Sequence, residues 1–325
     1  MYVKAMKKLM LILAVFVFIG MNVNAQATRN DVITVYNEGA KAIQTDTKAA
    51  IAAFEKVITL ADQVGQEAAD LKQKAVQVVP ALYVRLASTA LTEKKPAPEI
   101  ISAAKKALSV SEEYKSDANK DKAEKILVQG YNVMASDFFA KNDFGNAIQA
   151  FDSLLAINPA YITALYNKAL IYIKQDDSDS FEKTIDLYIQ EAKAVNDTDK
   201  VQKASTMALE YFRAAGSKAS QENKLDDALA LLNRSAKYGD DKDLFYFLAD
   251  VHNKKNEFDA GAGYAQKGLD METGDAEAKA KFYYQLAVAQ VGKGQVTEAC
   301  ASFKNAMYGP FAEASKAQRT NLKCE

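Results

Sequence analysis

Apolar residues recur along this chain at three- and four-residue spacings, with lysine, glutamate, aspartate and alanine between them, and that period predicts helix almost throughout. The beginning is different. Leu9 to Gly20 is an unbroken apolar run behind Lys4, Lys7 and Lys8, and Val23-Asn24-Ala25 ends on a small residue. Basic, apolar and small residues in that order predict a signal peptide over residues 1–25, cut after Ala25. The run falls short of the roughly 20 residues that a membrane span needs. The alternative is an uncleaved anchor, and the lack of a cysteine near Ala25 argues against a lipoprotein. From Thr28 to Asp62, Tyr36, Gly39 and Ala40 precede Ala50, Ile51 and Phe54 across a short turn. Two long helical patterns follow, about Gln66 to Thr92 and Pro98 to Glu113. Lys94-Lys95-Pro96-Ala97-Pro98 separates them, because each proline disfavours helix in the residue before it. Ser116 to Asp121 is polar and predicts a hinge between an irregular front, residues 26–115, and a more regular array over 122–310.

The regular part is built on Val128 to Tyr161. There Tyr131, Ala135 and Phe138 mark one helix, Asn142-Asp143-Phe144 a turn, Ala147 and Phe151 a second helix, and Pro159 the end of the unit. In its length of 34 residues and in the order of small and large positions, this segment resembles a tetratricopeptide repeat (TPR). The pattern resumes in Leu165, Ala169 and Tyr172 followed by Ile185 and Tyr188, with extra residues expected in the turn Gln175 to Ser180. It returns in Phe212, Gly216 and Ala219, then in Phe245, Ala249 and His252, and last in Tyr283, Ala287 and Gln290. The resemblance implies an all-α fold, a right-handed α-solenoid of stacked antiparallel helix pairs (the TPR superhelix), with about five regular repeats and divergent repeats at the N-terminus. Residues 311–325 are expected as a capping tail. Small residues such as Ala135, Gly216 and Ala249 would let helices approach, while aromatics fill the gaps between them.

Five prolines, no tryptophan and a formal charge of −1 change little in this picture. Without residues 1–25 the charge becomes −4, with both signs interspersed. No basic face for nucleic acid and no polybasic membrane patch stands out, and no stable membrane insertion is expected after signal cleavage. Chemistry is equally sparse. The one histidine, His252, occupies a core-facing position and reads as a packing residue, and a single histidine excludes a histidine-based metal cluster. Gly292-Lys293-Gly294 lacks the Lys-Ser or Lys-Thr of a phosphate loop, and Gly261-Ala262-Gly263 fails the same test. Asp176-Asp177 and Asp240-Asp241 lie in predicted turns, where they read as solvated caps. No catalytic constellation, cofactor site or metal site is expected.

Cys300 lies in the second helix of the last repeat and Cys324 is the penultimate residue. A tail running back along that helix would pair them as a disulfide in an exported chain. The alternative is two unpaired thiols, one buried and one loose. The resemblance also points to a concave wall lined by first helices, which here corresponds to Asn132, Ser136, Tyr166, Leu170, Arg213, Ser217, Tyr246, Asp250, Asn253 and Tyr284. Tyr166, Tyr246 and Tyr284 recur at one repeat position, where they would serve either as binding anchors or as covers for neighbouring helices. Asn167 matches an asparagine that clamps a C-terminal carboxylate in some members of the family. The reading is a non-catalytic, exported, periplasmic scaffold that binds a protein or peptide partner in its groove. The alternative is a periplasmic carrier of a small ligand such as a glycan or peptidoglycan fragment, which would need a closed cavity lined by aromatics.

Overall fold

A computed structural model describes residues 27–325, so the expected signal peptide lies outside the described residues. Among these residues are fifteen α-helices and no strand, and the chain divides into two compact units, the first ending at Asn158 and the second running from Pro159 to Glu325. In the first unit the helices are α1 (Arg29–Ala42), α2 (Thr47–Val64), α3 (Ala69–Thr92), α4 (Ala97–Glu113), α5 (Asp117–Ala140) and α6 (Phe144–Ile157). The second holds α7 (Ile162–Lys174), α8 (Ser178–Ala194), α9 (Thr198–Gln221), α10 (Leu225–Ala236) and α11 (Lys242–Lys254). It continues with α12 (Phe258–Met271), α13 (Ala276–Gly292), α14 (Val296–Asn305) and, after a 3-10 turn at Gly309–Phe311, α15 (Ala312–Asn321). Helices adjacent in sequence pack together as pairs: α1 with α2, α3 with α4 and α5 with α6, then α7 with α8, α9 with α10, α11 with α12 and α13 with α14. This is the all-α, helix-pair architecture of the tetratricopeptide-repeat kind.

The pairs form because the links between their helices are built by one device. In each of the five later pairs three residues separate the helices, and the middle one, Asn142, Asp176, Asn223, Asn256 or Gly294, takes a left-handed φ of 54° to 74°. Asparagine, aspartate and glycine tolerate that region best. The next residue turns its N–H back to a carbonyl of the finished helix, as Asp143 does to Phe138 at 2.9 Å and Glu257 to His252 at 2.8 Å. Two of these residues then open the following helix: Asp143 accepts from the Asn146 N–H at 3.3 Å and Asp177 from the Ser180 N–H at 3.0 Å. One side chain thus follows a C-cap and serves as an N-cap, and the chain reverses in three residues.

Two expectations change here. The Gln175–Ser180 turn is not stretched, since helix α8 starts at Ser178; the added residues lengthen α8 and α9 to 17 and 24 residues. Asn196, left-handed at φ 56°, and Asp197, which caps α9 through the Lys200 N–H at 3.1 Å, set that longer register. Ser116–Asp121 is no hinge: α5 begins at Asp117, and the polar residues are the exposed first turns of a 24-residue helix that packs on α4 and α3. The two compact units divide after Asn158.

Each unit has its own core. In the first, Val32, Ile51, Phe54, Val57, Leu71 and Val79 form one cluster and Ile100, Ile101, Ala104 and Leu127 belong to another. In the second, Phe181, Phe212, Leu232, Phe282 and Phe303 are almost wholly buried. Gly216 shows why small residues are needed: a Cβ there would lie 2.7 Å from Leu232 Cγ, so α9 and α10 touch only without one.

Candidate functional site

The first-helix positions expected to form a binding wall do not share one environment. Asn132 and Ser136 stand on α5 of the first unit, Asn132 half-buried and Ser136 exposed. In the second unit Tyr166 is 39% exposed on α7, with its ring 5.8 Å from that of Tyr188, and Asn167 and Leu170 are half-buried beside it. Further along, the wall residues are already engaged. Arg213 on α9 pairs with Asp241, which also accepts the Asp243 and Leu244 N–H groups at 2.7 and 3.0 Å as the N-cap of α11. Burial would raise the Asp241 carboxyl, but the Leu244 N–H and the Arg213 guanidinium outweigh it and hold the group below the ordinary carboxylate range.

Asn253 was expected on the open wall and is instead inside, 6% exposed. Its Nδ2 donates to the backbone carbonyl and to Oε1 of Gln285, both at 2.9 Å. Gln285 passes its own amide to Asp250 at 3.2 Å, and Asp250 accepts from Ser220 at 3.0 Å and from Lys254 at 2.7 Å. Ser220, Asp250 and Gln285 belong to α9, α11 and α13, so this chain of polar contacts links three successive first helices. Gly261 makes room for it, because a Cβ there would collide with the Asn253 amide. Neither Ser220 nor Gln285 was singled out in the sequence; the available signal was that Ser220 and Asn253 share one repeat position, and Gln285 and Asn167 another, where the remaining repeats carry apolar residues.

Tyr246 and Tyr284 behave as covers. Tyr246 meets Phe282 edge-on at 6.3 Å and Tyr284 meets Phe303 edge-on at 5.7 Å. Burial, then the nearby Asp250 carboxylate, pushes the Tyr246 phenol up. His252 is half-buried, stacked on Tyr264 at 5.3 Å with Nδ1 2.6 Å from Glu257, which agrees with a packing role. Cys300 and Cys324 form the disulfide, with Cα atoms 5.6 Å apart. Among the described residues no three His, Cys, Asp or Glu side chains gather into a metal-ligating group.

A broad concavity lies elsewhere, over α9 and α10 beside the α7–α8 turn. It has a volume of about 860 Å³ and is lined by Ala214, Ala215, Ala219, Ala230 and Leu231 with Tyr211, and by Asp176, Ser178, Lys218, Glu222, Lys224 and Asp227. Tyr211 is its one aromatic, and that ring is used within the fold. It packs edge-on against Phe181 at 4.6 Å and Phe212 at 5.2 Å, and its hydroxyl lies 3.0 Å from Ser178 Oγ. Glu222 and Lys224 pair at 2.8 Å, and this contact holds the Glu222 carboxyl down. A floor of alanines with a rim of both charges can seat a polypeptide segment, whereas stacking of a sugar ring needs a free aromatic face.

No protein-family model matches the sequence, and no curated protein matches it. Solved structures do. MamA is 19% identical over 61% of this chain and 96% of its own, with a TM-score of 0.33. YrrB, a TPR protein with an unusual peptide-binding site, is 16% identical over 58% of this chain and 91% of its own, with a TM-score of 0.34. A tetratricopeptide repeat protein from Parabacteroides merdae is 16% identical over 90% of this chain and 98% of its own, with a TM-score of 0.30. At these values what those proteins bind does not transfer, and the class rests on the helix pairs themselves: an all-α array of TPR-type repeats.

Proposed function

We propose that the protein is a non-catalytic TPR-type scaffold of the bacterial periplasm that holds a segment of a protein or peptide partner against the second unit. The observation that carries this reading is the alanine-floored, charge-rimmed concavity on α9 and α10, together with the exposed Tyr166 on α7. Helix-lined surfaces of this kind recognise a partner segment through apolar contact, with polar groups fixing its direction. The volume of about 860 Å³ would also admit a small ligand, but the lining holds no free aromatic ring, which favours the peptide over the glycan carrier. Export is supported by the signal-peptide pattern of residues 1–25 and by the Cys300–Cys324 disulfide, a bond that persists in oxidising compartments.

The test is photocrosslinking in cells. A photoreactive residue at Tyr166 or Lys218 is expected to capture a protein identifiable by mass spectrometry, while one at Lys304, exposed on α14, captures none. Capture of glycan fragments alone, or equal capture at Lys304, would overturn the scaffold reading.

A further inference from the structure

Phe311 ends the 3-10 turn that follows α14, and its ring centroid lies 5.4 Å from that of Tyr284 and 6.4 Å from that of Tyr246. The protein's own tail therefore occupies the side of α11 and α13 on which two of the three recurring tyrosines stand. Gly309 makes the turn possible with a left-handed φ of 50°. Beyond it α15 runs back along α14: the Ser315 hydroxyl donates to the Ala306 carbonyl at 3.4 Å, and Arg319 donates to the carbonyls of Cys300 and Glu325. Ser315 is the only buried residue of this ten-residue helix. So short a helix is marginal in water without tertiary contacts, and with so little apolar area under α15 the covalent tie carries an unusual share of the holding. The tie spans 24 residues from Cys300 to Cys324 and encloses Phe311.

We propose that the disulfide is a latch on the second unit: while it is intact, Phe311 covers Tyr246 and Tyr284, and its reduction frees the tail and opens that aromatic pair to a partner. The proposal rests on the reading of the second unit as the part that holds a partner. Reduction requires a dithiol donor, which gives up two electrons and two protons. The Sγ–Sγ bond breaks, Cys300 and Cys324 become thiols, and the donor closes to its own disulfide. Loss of the crosslink releases loop entropy to the tail, which is then held only by the Phe311 ring contacts and by the hydrogen bonds from Ser315 and Arg319.

Tyrosine labelling tests this on the full chain without a partner. The oxidised protein, the protein reduced with dithiothreitol, alkylated with iodoacetamide and freed of both reagents, and Cys324→Ser alkylated in the same way at Cys300 are iodinated under limiting conditions and mapped by mass spectrometry. Labelling of Tyr246 and Tyr284 is expected to rise several-fold in the second and third samples, with Tyr36 of the first unit unchanged as the reference. Equal labelling in all three overturns the latch, and so does a rise at Tyr36 of the same size, which would report general unfolding. Phe311→Ala with the disulfide intact is expected to raise both tyrosines as well; no rise would show that Phe311 is not the cover. Because labelling needs no client, a failed crosslink at Tyr166 would sink the scaffold reading and leave this result standing.

Discussion

The two compact units use the same helix pairing but hold it in different ways. In the first unit Val32, Ile51, Val57, Leu71 and Val79 pack as aliphatic side chains, and the aromatic contacts are isolated pairs, Tyr36 with Phe54 and Phe139 with Phe144. In the second, Phe181, Tyr211, Phe212 and Tyr238 form a continuous run of rings, and Arg234 lies over Phe212 at 4.4 Å while pairing with Asp179 and Glu182. Aliphatic cores tolerate exchange of shape at constant volume. Ring pairs and hydrogen-bond chains have preferred geometries and lose energy when displaced. The first unit is therefore the more forgiving to substitute, and the second is the one in which side chains fix helix register.

That contrast can be broken by substitution. Phe212→Ala is expected to cost about 3–5 kcal/mol in urea unfolding, since it empties the centre of the ring run, whereas Ile100→Val in the first unit costs about 0.5–1.5 kcal/mol. A Phe212 variant no weaker than the Ile100 variant would remove the distinction. Next in size, Cys324→Ser is expected to lower stability by about 2–5 kcal/mol, read as loss of hydrogen-exchange protection in α14 and α15 with the first unit unaffected. Asn253→Ala leaves the buried Gln285 amide oxygen without its donor and is expected to cost about 1–3 kcal/mol. Gly261→Ala, which pushes on the same amide, should cost a similar about 1–3 kcal/mol, and a double variant less than the sum, because both act on one network.

Acid sharpens the comparison further. The Asp241 carboxyl lies below its ordinary value in the folded chain, so its contribution is fully present above the unfolded pKa of about 4 and is lost as pH falls through the lowered folded value. Arg213→Gln is expected to move acid unfolding of the second unit to higher pH; an unchanged midpoint would show that the Leu244 and Asp243 N–H groups hold the carboxyl without the guanidinium. The smallest effect lies in the first unit. The hydrogen bond from Arg29, followed by its charge, brings Asp70 down to about 2 despite slight desolvation. Arg29→Gln should return Asp70 toward about 4 in an NMR titration with almost no change in stability, because the pair is exposed to solvent.

Much of the fold could be read in advance where a local rule produced it. Asn142, Asn223, Asn256 and Gly294 mark turns because a left-handed residue is needed there, and the buried Ala169, Gly216 and Ala287 mark close approaches, at Gly216 one so close that a Cβ would clash with Leu232. The misses had physical causes too. Ser116–Asp121 looked like a hinge because polar residues mark loops and exposed helix turns alike, and only the packing of α5 on α4 tells these apart. The extra length near Gln175 was placed in a turn, although a helix can absorb it at either end when caps such as Asp177 and Asp197 allow. The concavity on α9 and α10 had no signature at all, since alanines at helical spacing are the ordinary residues of a packed interface.

The amino-acid sequence by itself determined that the chain would reverse every few turns of helix and pair its helices, because caps and small-residue contacts act over a few residues. It also brought two cysteines within reach of each other near the end. Only the tertiary structure decided which of the recurring positions remain free. Tyr166 stays partly exposed, Tyr246 and Tyr284 lie under Phe311, and Asn253 turns inward to Gln285. Those outcomes depend on side chains tens of residues away in sequence, and a local pattern carries no record of which distant residue will come to rest against it.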